Sequence, residues 1–388
     1  MKQDAQYFIE AAERLVPLAR ECAPEADRNR KVPEVFIQAL KDAGFYNAMR
    51  PREAGGAAID FKTFIDIVRI LSRGDASVGW VSAFLISHEW LLSRLNADAQ
   101  AEVFKDGAGL AAAAASPPGK AVPVEGGYRV TGRWRYASAV LHANWIIVAA
   151  GGAQGPLAVV ANVGEGRLVD TWHVPGMRGT GSNDFELQDA FIPAHRVVDF
   201  IKYSSRNNDG VALHPSYEML QYPMYRVLSL IHGAVSVGMA EAALEVFPSL
   251  VAHRMRPSNG TPLIEEPGAH AAYGEASYQA KVARLLLEDA VERTVRLYQR
   301  GSADPSIEER AQLNLAVTGS GVEAARAIDT LVFHAGASIH RDGHPFDLIN
   351  RNNQVSRSHG VLDERYAQML AGRVLLGQGL GSHMDVLY

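Results

Sequence analysis

Two of the thirteen histidines lie where an imidazole could handle protons. His88 interrupts an apolar run, SAFLISHEWLL, and His359 closes a polar one, NRNNQVSRSHG. Histidine titrates near neutral pH, so either could serve as an acid or a base. A core histidine with a satisfied ring would produce the same pattern at both positions. The polar run also holds Arg351 and Arg357 among Asn350, Asn352, Asn353, Ser356 and Ser358. So many donors are costly to bury unless something accepts them. They read either as an anion or cofactor site or as a solvated helix start. Gly179-Thr180-Gly181-Ser182 offers backbone and hydroxyl donors in a tight loop, or a plain turn between strands.

Other chemistries lack their residues. There is no GxGxxG after a strand, no GxxxxGK[ST], no HExxH and no GxSxG. The single cysteine, Cys22, cannot form an internal disulfide, and no Cys/His zinc pattern exists. Cys22 falls on a helical apolar stripe and reads as core. A net charge of −5 excludes the basic stripe of a nucleic-acid binder and any polybasic membrane anchor. The charged N-terminus does not read as a signal peptide, and no apolar run is expected to span a bilayer. A cytoplasmic enzyme is therefore expected.

The elements that must position these residues follow from periodicity. Phe8, Ala12, Leu15, Ala19 and Cys22 mark an amphipathic helix, bent at Pro17. A second helix opens near Pro33 and buries Phe36 and Leu40. Residues 60–73 and 77–95 are helical, and the second is apolar nearly all round, hence buried. AAAAASPPGK ends the helical pattern. Tyr128, Val130, Gly132, Trp134 and Tyr136 then alternate with Arg129, Thr131, Arg133 and Arg135, the period of a half-buried strand. Further strands without intervening helices follow to about residue 200, which favours antiparallel pairing. From about 216 four long amphipathic stretches predict a helix bundle. The chain of 388 residues thus divides into 1–110, 111–212 and 213–388.

With RGDASVGWVSAFLISH, GGYRVTGRWRYASAVLHANW, MRGTGSNDFELQDAFIP and the 335–360 stretch in that order, the chain resembles the acyl-CoA dehydrogenase superfamily. GRW-x-[FY]-A-S followed by GTGSND is similar to its flavin-dependent monooxygenase branch. The resemblance implies an α+β fold: an N-terminal helical domain, a middle antiparallel β-barrel or sandwich, and a C-terminal four-helix bundle. It implies reduced FMN or FAD from a separate NAD(P)H-flavin reductase, O2 as co-substrate, and a homo-oligomer, a tetramer in most such folds.

The resemblance also implies site residues. Ser138 would lie near the flavin N5, Ser116 falls in the segment that lines the isoalloxazine, and Tyr136 would also bind the cofactor. Arg254 or Arg256 would meet the flavin phosphate. Gly336 and Ser338 lie where a neighbouring subunit reaches the cofactor, and Arg351 keeps one cofactor arginine. His88 and His359 would face the flavin from the two helical regions and act with Ser138 in catalysis. The implied reaction runs through a C(4a)-hydroperoxyflavin, sheltered from water by an apolar face that includes Trp80, Phe84 and Trp90. It hydroxylates or epoxidises a small indolic or phenolic compound, with indole or indole-3-acetate favoured from overall likeness. Leu348 and Asn352 stand where the branch usually carries Arg and Asp.

A thioester dehydrogenase needs a carboxylate base. The late Tyr-Glu-Gly loop is not visible, and the alternative position holds Tyr225, a poor base near neutral pH. A dehydrogenase-like flavin enzyme and a non-catalytic flavin binder remain the rival readings.

Overall fold

The computed structural model describes residues 4–252, 254–255, 260–341 and 343–381. The N-terminal helices are α1 (Ala5–Asn29), α2 (Glu34–Asp42), α3 (Phe61–Ser72), α4 (Ala76–Leu92) and α5 (Ala97–Val103). Four of them start on an Asp or Asn whose carboxyl or amide oxygen accepts a first-turn N–H: Asp4, Asp60, Asp75 and Asn96. α2 starts after Pro33 and buries Phe36 and Leu40 completely. In α4 every residue except Phe84 is buried, as its all-round apolar sequence demands.

A single seven-stranded sheet follows. Its strands are β1 (Ala111–Val124), β2 (Gly127–Ala137), β3 (Trp145–Gly152), β4 (Gly155–Asn162), β5 (Arg167–Val169), β6 (Asn183–Pro193) and β7 (Val197–Asp199). The order is β5-β6-β2-β1-β3-β4-β7, with β1 parallel to β3 and every other pair antiparallel. Two expectations change here. The alanine run does not end a helix: Ala111–Ala114 pair with Trp145–Val148 as strand. Pairing is also not wholly antiparallel, because β1 and β3 enter the sheet from the same side. The small side chains of Ala111 and Ala112, both fully buried, let β1 pass close beneath α4. Trp134 fills the sheet's core, and its Nε1–H donates to the Ala149 carbonyl at 2.7 Å. Gly119 must be glycine, since a Cβ there would sit 2.4 Å from the Trp134 ring.

After α6 (Phe200–Ser204) and α7 (Asp209–Leu213) come α8 (Met224–Ala252), α9 (Pro267–Tyr298), α10 (Ile307–Ala335), α11 (Pro345–Ser356) and α12 (Glu364–Leu375). α8, α9, α10 and α12 form the C-terminal bundle. Contrary to the sequence expectation, α8 is long and apolar enough to cross a membrane, but 83% of that stretch is buried in the protein. It is the central core helix, packed on α3, α4, α9 and α10. Arg94, only 1% exposed, ties the connecting segment down. It stacks on Trp90 and donates to the carbonyls of Tyr203, Ser205, Leu220 and Tyr222.

Candidate functional site

The end of β2 turns sharply, with Tyr136 and Ala139 at φ of 62° and 63°. Neither is glycine, so both residues hold a conformation that costs energy and that the surrounding loops must enforce. The turn aims Ser138 at α4. Trp80 Nε1–H donates to Ser138 Oγ at 3.0 Å. Ser138 Oγ lies 2.8 Å from Ser182 Oγ, which lies 2.7 Å from Thr180 Oγ1. Thr180 Oγ1 donates to the Met177 carbonyl at 2.8 Å.

Proton counting fixes the direction of this chain. A hydroxyl has one hydrogen and two lone pairs. Thr180 uses its hydrogen on a carbonyl, which can only accept, so Ser182 donates to Thr180. Ser138 must then donate to Ser182. Having accepted from Trp80 and donated to Ser182, Ser138 keeps one lone pair and no hydrogen for anything else.

The loop that carries Thr180 and Ser182 is held from two sides. Asn352 Oδ1 on α11 accepts the Met177 N–H at 2.6 Å, and Asn352 Nδ2 donates to Asp75 Oδ2 at 3.2 Å. Asp75 caps α4, and burial pushes its carboxyl up to about 6. One asparagine thus joins α11, the 177–182 loop and the start of α4.

A ladder of rings runs from this point. Trp80 contacts Phe84 at 5.3 Å between centroids, and Phe84 contacts His88 at 5.2 Å. On the other side Trp80 meets His232 at 5.0 Å and His359 at 6.1 Å, and the two imidazoles are 3.9 Å apart. His88 is 2% exposed, and its Nδ1–H donates to the Ala111 carbonyl at 2.6 Å. Its Nε2 is buried without a partner among the described residues, and burial lowers its pKa to about 4. His359 caps a short turn, its Nδ1 accepting the Val361 N–H at 3.2 Å. Its ring reaches solvent on one side and is crowded by protein on the others, so desolvation lowers its pKa as well. Ser138 and His359 both meet Trp80, and His88 lies one ring further along, across Phe84.

His232 was not anticipated. It sits in α8 within LSLIHGAVSVG, a histidine in an apolar run, the same signal that marked His88. Burial, and after it the neighbouring His359, push its pKa well below the ordinary value.

The remaining site residues divide. Ser116 is exposed near the end of the parallel pairing of β1. Tyr136 is 64% exposed, edge-on to Trp172 at 6.1 Å. Tyr136 also lines an open depression of about 600 Å³ with Pro117, Arg133, Arg135, Thr171 and Asp184. Arg254 donates to the Ala335 carbonyl and lies against Gly336, whose φ of 73° suits glycine, while Ser338 is half-buried in the next turn. The Arg254 bond runs to the end of α10. Arg256 lies outside the described residues.

Arg351, expected at the cofactor, is held by carboxylates. Its guanidinium grips Asp27 with both terminal nitrogens, at 3.0 and 2.9 Å, and Asp347 through Nε at 2.7 Å. The hydrogen bond to Asp27, and after it that to Asp347, raise its pKa further and hold it charged. Arg357 likewise pairs with Asp329. Leu348 lines a cavity of about 900 Å³ between α1, the start of α4, α8 and α11. That cavity is lined by Asp75 and Ala76 and by five arginines, of which Arg20, Arg73, Arg178 and Arg351 are paired with carboxylates.

Known proteins resemble the chain over its full length. The family model described as acyl-CoA dehydrogenase, N-terminal domain, matches residues 3–103, and the C-terminal domain model matches 230–364. A pigment production hydroxylase of a Rhodococcus strain is 30% identical over 373 residues, 93% of this chain and 94% of its own. The oxygenase subunit HsaA, a flavin-dependent monooxygenase of Mycobacterium tuberculosis, is 28% identical over 99% of this chain and 98% of its own. Its crystal structure superposes with a TM-score of 0.90, at 26% identity and full coverage of both chains. A FADH2-dependent resorcinol hydroxylase, oxygenase component, from a Rhizobium strain is 28% identical over 81% of this chain and 80% of its own. The chain belongs to the acyl-CoA dehydrogenase superfamily, in its branch of flavin-dependent monooxygenases.

Proposed function

We propose that this enzyme is the oxygenase component of a two-component system that hydroxylates a small aromatic compound, with reduced flavin delivered by a separate NAD(P)H-flavin reductase. When bound, reduced flavin would supply the two electrons that activate O2, the source of the oxygen atom. The reading rests on Ser138. The hydroxyl chain leaves it an acceptor only, so it suits a group with an N–H to donate. Reduced flavin carries that hydrogen at N5; oxidised flavin offers a lone pair there instead. The exposed platform of Ser116 and Tyr136, beside the open depression on β2, fits a flat ring system laid against the sheet.

In this reading His88 and His359 hold protons at the substrate, and the ring ladder of Trp80 and Phe84 keeps water away. All the imidazoles of the ladder have lowered pKa values, so they act as neutral groups at physiological pH. Arg254, Gly336 and Ser338 would meet a cofactor reaching over from a second subunit. Tyr278 and Phe333, 70% and 83% exposed on α9 and α10, support a homotetramer assembled through the bundles. A monomer in sedimentation velocity would contradict that assembly. A cytoplasmic setting, with its supply of reduced nicotinamide, accompanies the reading. Thioester dehydrogenation is disfavoured because Tyr225 is half-buried and desolvation raises its pKa, the wrong direction for a base.

The test is anaerobic titration of the protein with oxidised and with reduced FMN. Reduced FMN should bind about tenfold more tightly, the worth of one hydrogen bond of ~1.4 kcal/mol. Ser138→Ala should narrow the gap. Equal affinities in the unmodified protein would contradict the reading.

A further inference from the structure

His232 and His359 are in ring contact, yet their hydrogen bonds force them into opposite tautomers. His232 Nδ1 lies 3.2 Å from the Ser229 carbonyl. A carbonyl only accepts, so Nδ1 carries the hydrogen and Nε2 is a bare lone pair. That Nε2 is buried and has no partner among the described residues, in a residue only 6% exposed. At His359 the polarity is reversed. The Val361 N–H donates to Nδ1, so in the neutral ring the hydrogen sits on Nε2.

Both arrangements are locked by main chain. Ser229 is one turn back on α8, the same helix as His232. The turn after His359 is pinned to α10 by Thr318 Oγ1, which donates to the Val361 carbonyl at 3.0 Å. α8 itself comes close to α10 at Gly233, where a Cβ would lie 2.3 Å from Ser320 Oγ. Two neutral rings with centroids 3.9 Å apart therefore carry one bare acceptor nitrogen and one N–H donor.

A hydroxyl is the small group that answers both, because its hydrogen donates while its oxygen accepts. An indole N–H answers only the acceptor, and a carboxylate only the donor. We propose that His232 is a further catalytic residue, whose Nε2 accepts the hydrogen of a phenolic substrate's hydroxyl while His359 Nε2–H donates to the same oxygen. This rests on the monooxygenase reading above and narrows its substrate to phenols over indoles and indole acetates.

Taking the O–H proton pushes electron density onto the ring carbon that gains oxygen. That carbon later loses its own proton as aromaticity returns, and His232 gives its proton back to the phenolic oxygen. The net change is C–H to C–OH. The second oxygen atom of O2 leaves as water, and the reduced flavin is oxidised by two electrons.

Two measurements on the full-length protein without added flavin test this. The first is the 15N shifts of histidine-labelled protein, which distinguish the tautomers. His232 should carry hydrogen on Nδ1 and His359 on Nε2; hydrogen on Nε2 of His232 would overturn the proposal. The second compares 4-nitrophenol with nitrobenzene as probes. In His232→Phe the affinity for 4-nitrophenol should fall about tenfold, while that for nitrobenzene stays within about twofold. An equal loss for both would mean that the ring is only packing, and would overturn the catalytic role. Should His232→Phe not fold, the tautomers of the unmodified protein still decide. Neither measurement depends on the preference for reduced flavin, so the two readings can fail separately.

Discussion

Protonation states decide what the individual side chains can do. His88 shows this through stability. Its pKa falls from 6.5 unfolded to about 4 in the fold, because burial disfavours the charged ring. The unfolded chain therefore takes up a proton first as pH drops. Stability is full above pH 6.5, declines through the interval below it, and stops declining near pH 4. The loss should reach about 3 kcal/mol, from ~1.4 kcal/mol per pH unit. His88→Asn, which keeps a donor for Ala111, should flatten this part of the stability curve measured by urea unfolding. An unchanged acid limb would show that His88 is not the group responsible. At this scale His88, Ser138 and His359 were legible, the first and last as histidines in unusual company and Ser138 through the strings around it. The opposed tautomers were not, because they depend on which carbonyl or N–H each ring meets after folding.

Elements position these groups, and a few buried polar residues position the elements. The caps and the apolar periodicities of α1 to α4 could be read directly, since both are local. The strand character of Ala111–Ala114 could not, because alanine suits helix or strand and only pairing with Trp145–Val148 decides it. Arg351 and Asn352 show a similar limit. Their polar character was plain, but Asp27, Asp347, Asp75 and Met177 accept or supply their hydrogen bonds from up to 324 positions away. Arg94 makes a prediction at this scale. It satisfies four carbonyls of the 203–222 segment without a carboxylate partner, and burial pulls its pKa down to about 9. Arg94→Met takes the donor from the Tyr203 and Tyr222 carbonyls, at ~1–3 kcal/mol each before relaxation, while those of Ser205 and Leu220 keep Asn208 Nδ2. Denaturant unfolding should show a loss of at least about 2 kcal/mol. A loss below 1 kcal/mol would mean that the segment is held some other way.

Across the whole molecule, one open sheet stands between two helical layers, and the ring ladder lies where they meet. Trp80 comes from the N-terminal helices, Ser138 and Ser182 from the sheet's loops, and His232 and His359 from the C-terminal region. The order helix, strand, helix was visible in the shift from period 3.6 to period 2 and back. The convergence of all three at Trp80 needed the fold. The most direct test of the account is oxygen incorporation. The full chain would be supplied with reduced FMN by a generic reductase, under 18O2, with phenol, resorcinol and indole offered in turn. The account predicts a phenolic product carrying one 18O atom, formed in proportion to flavin oxidised. Hydrogen peroxide alone, with no labelled product from any of the three, would contradict it.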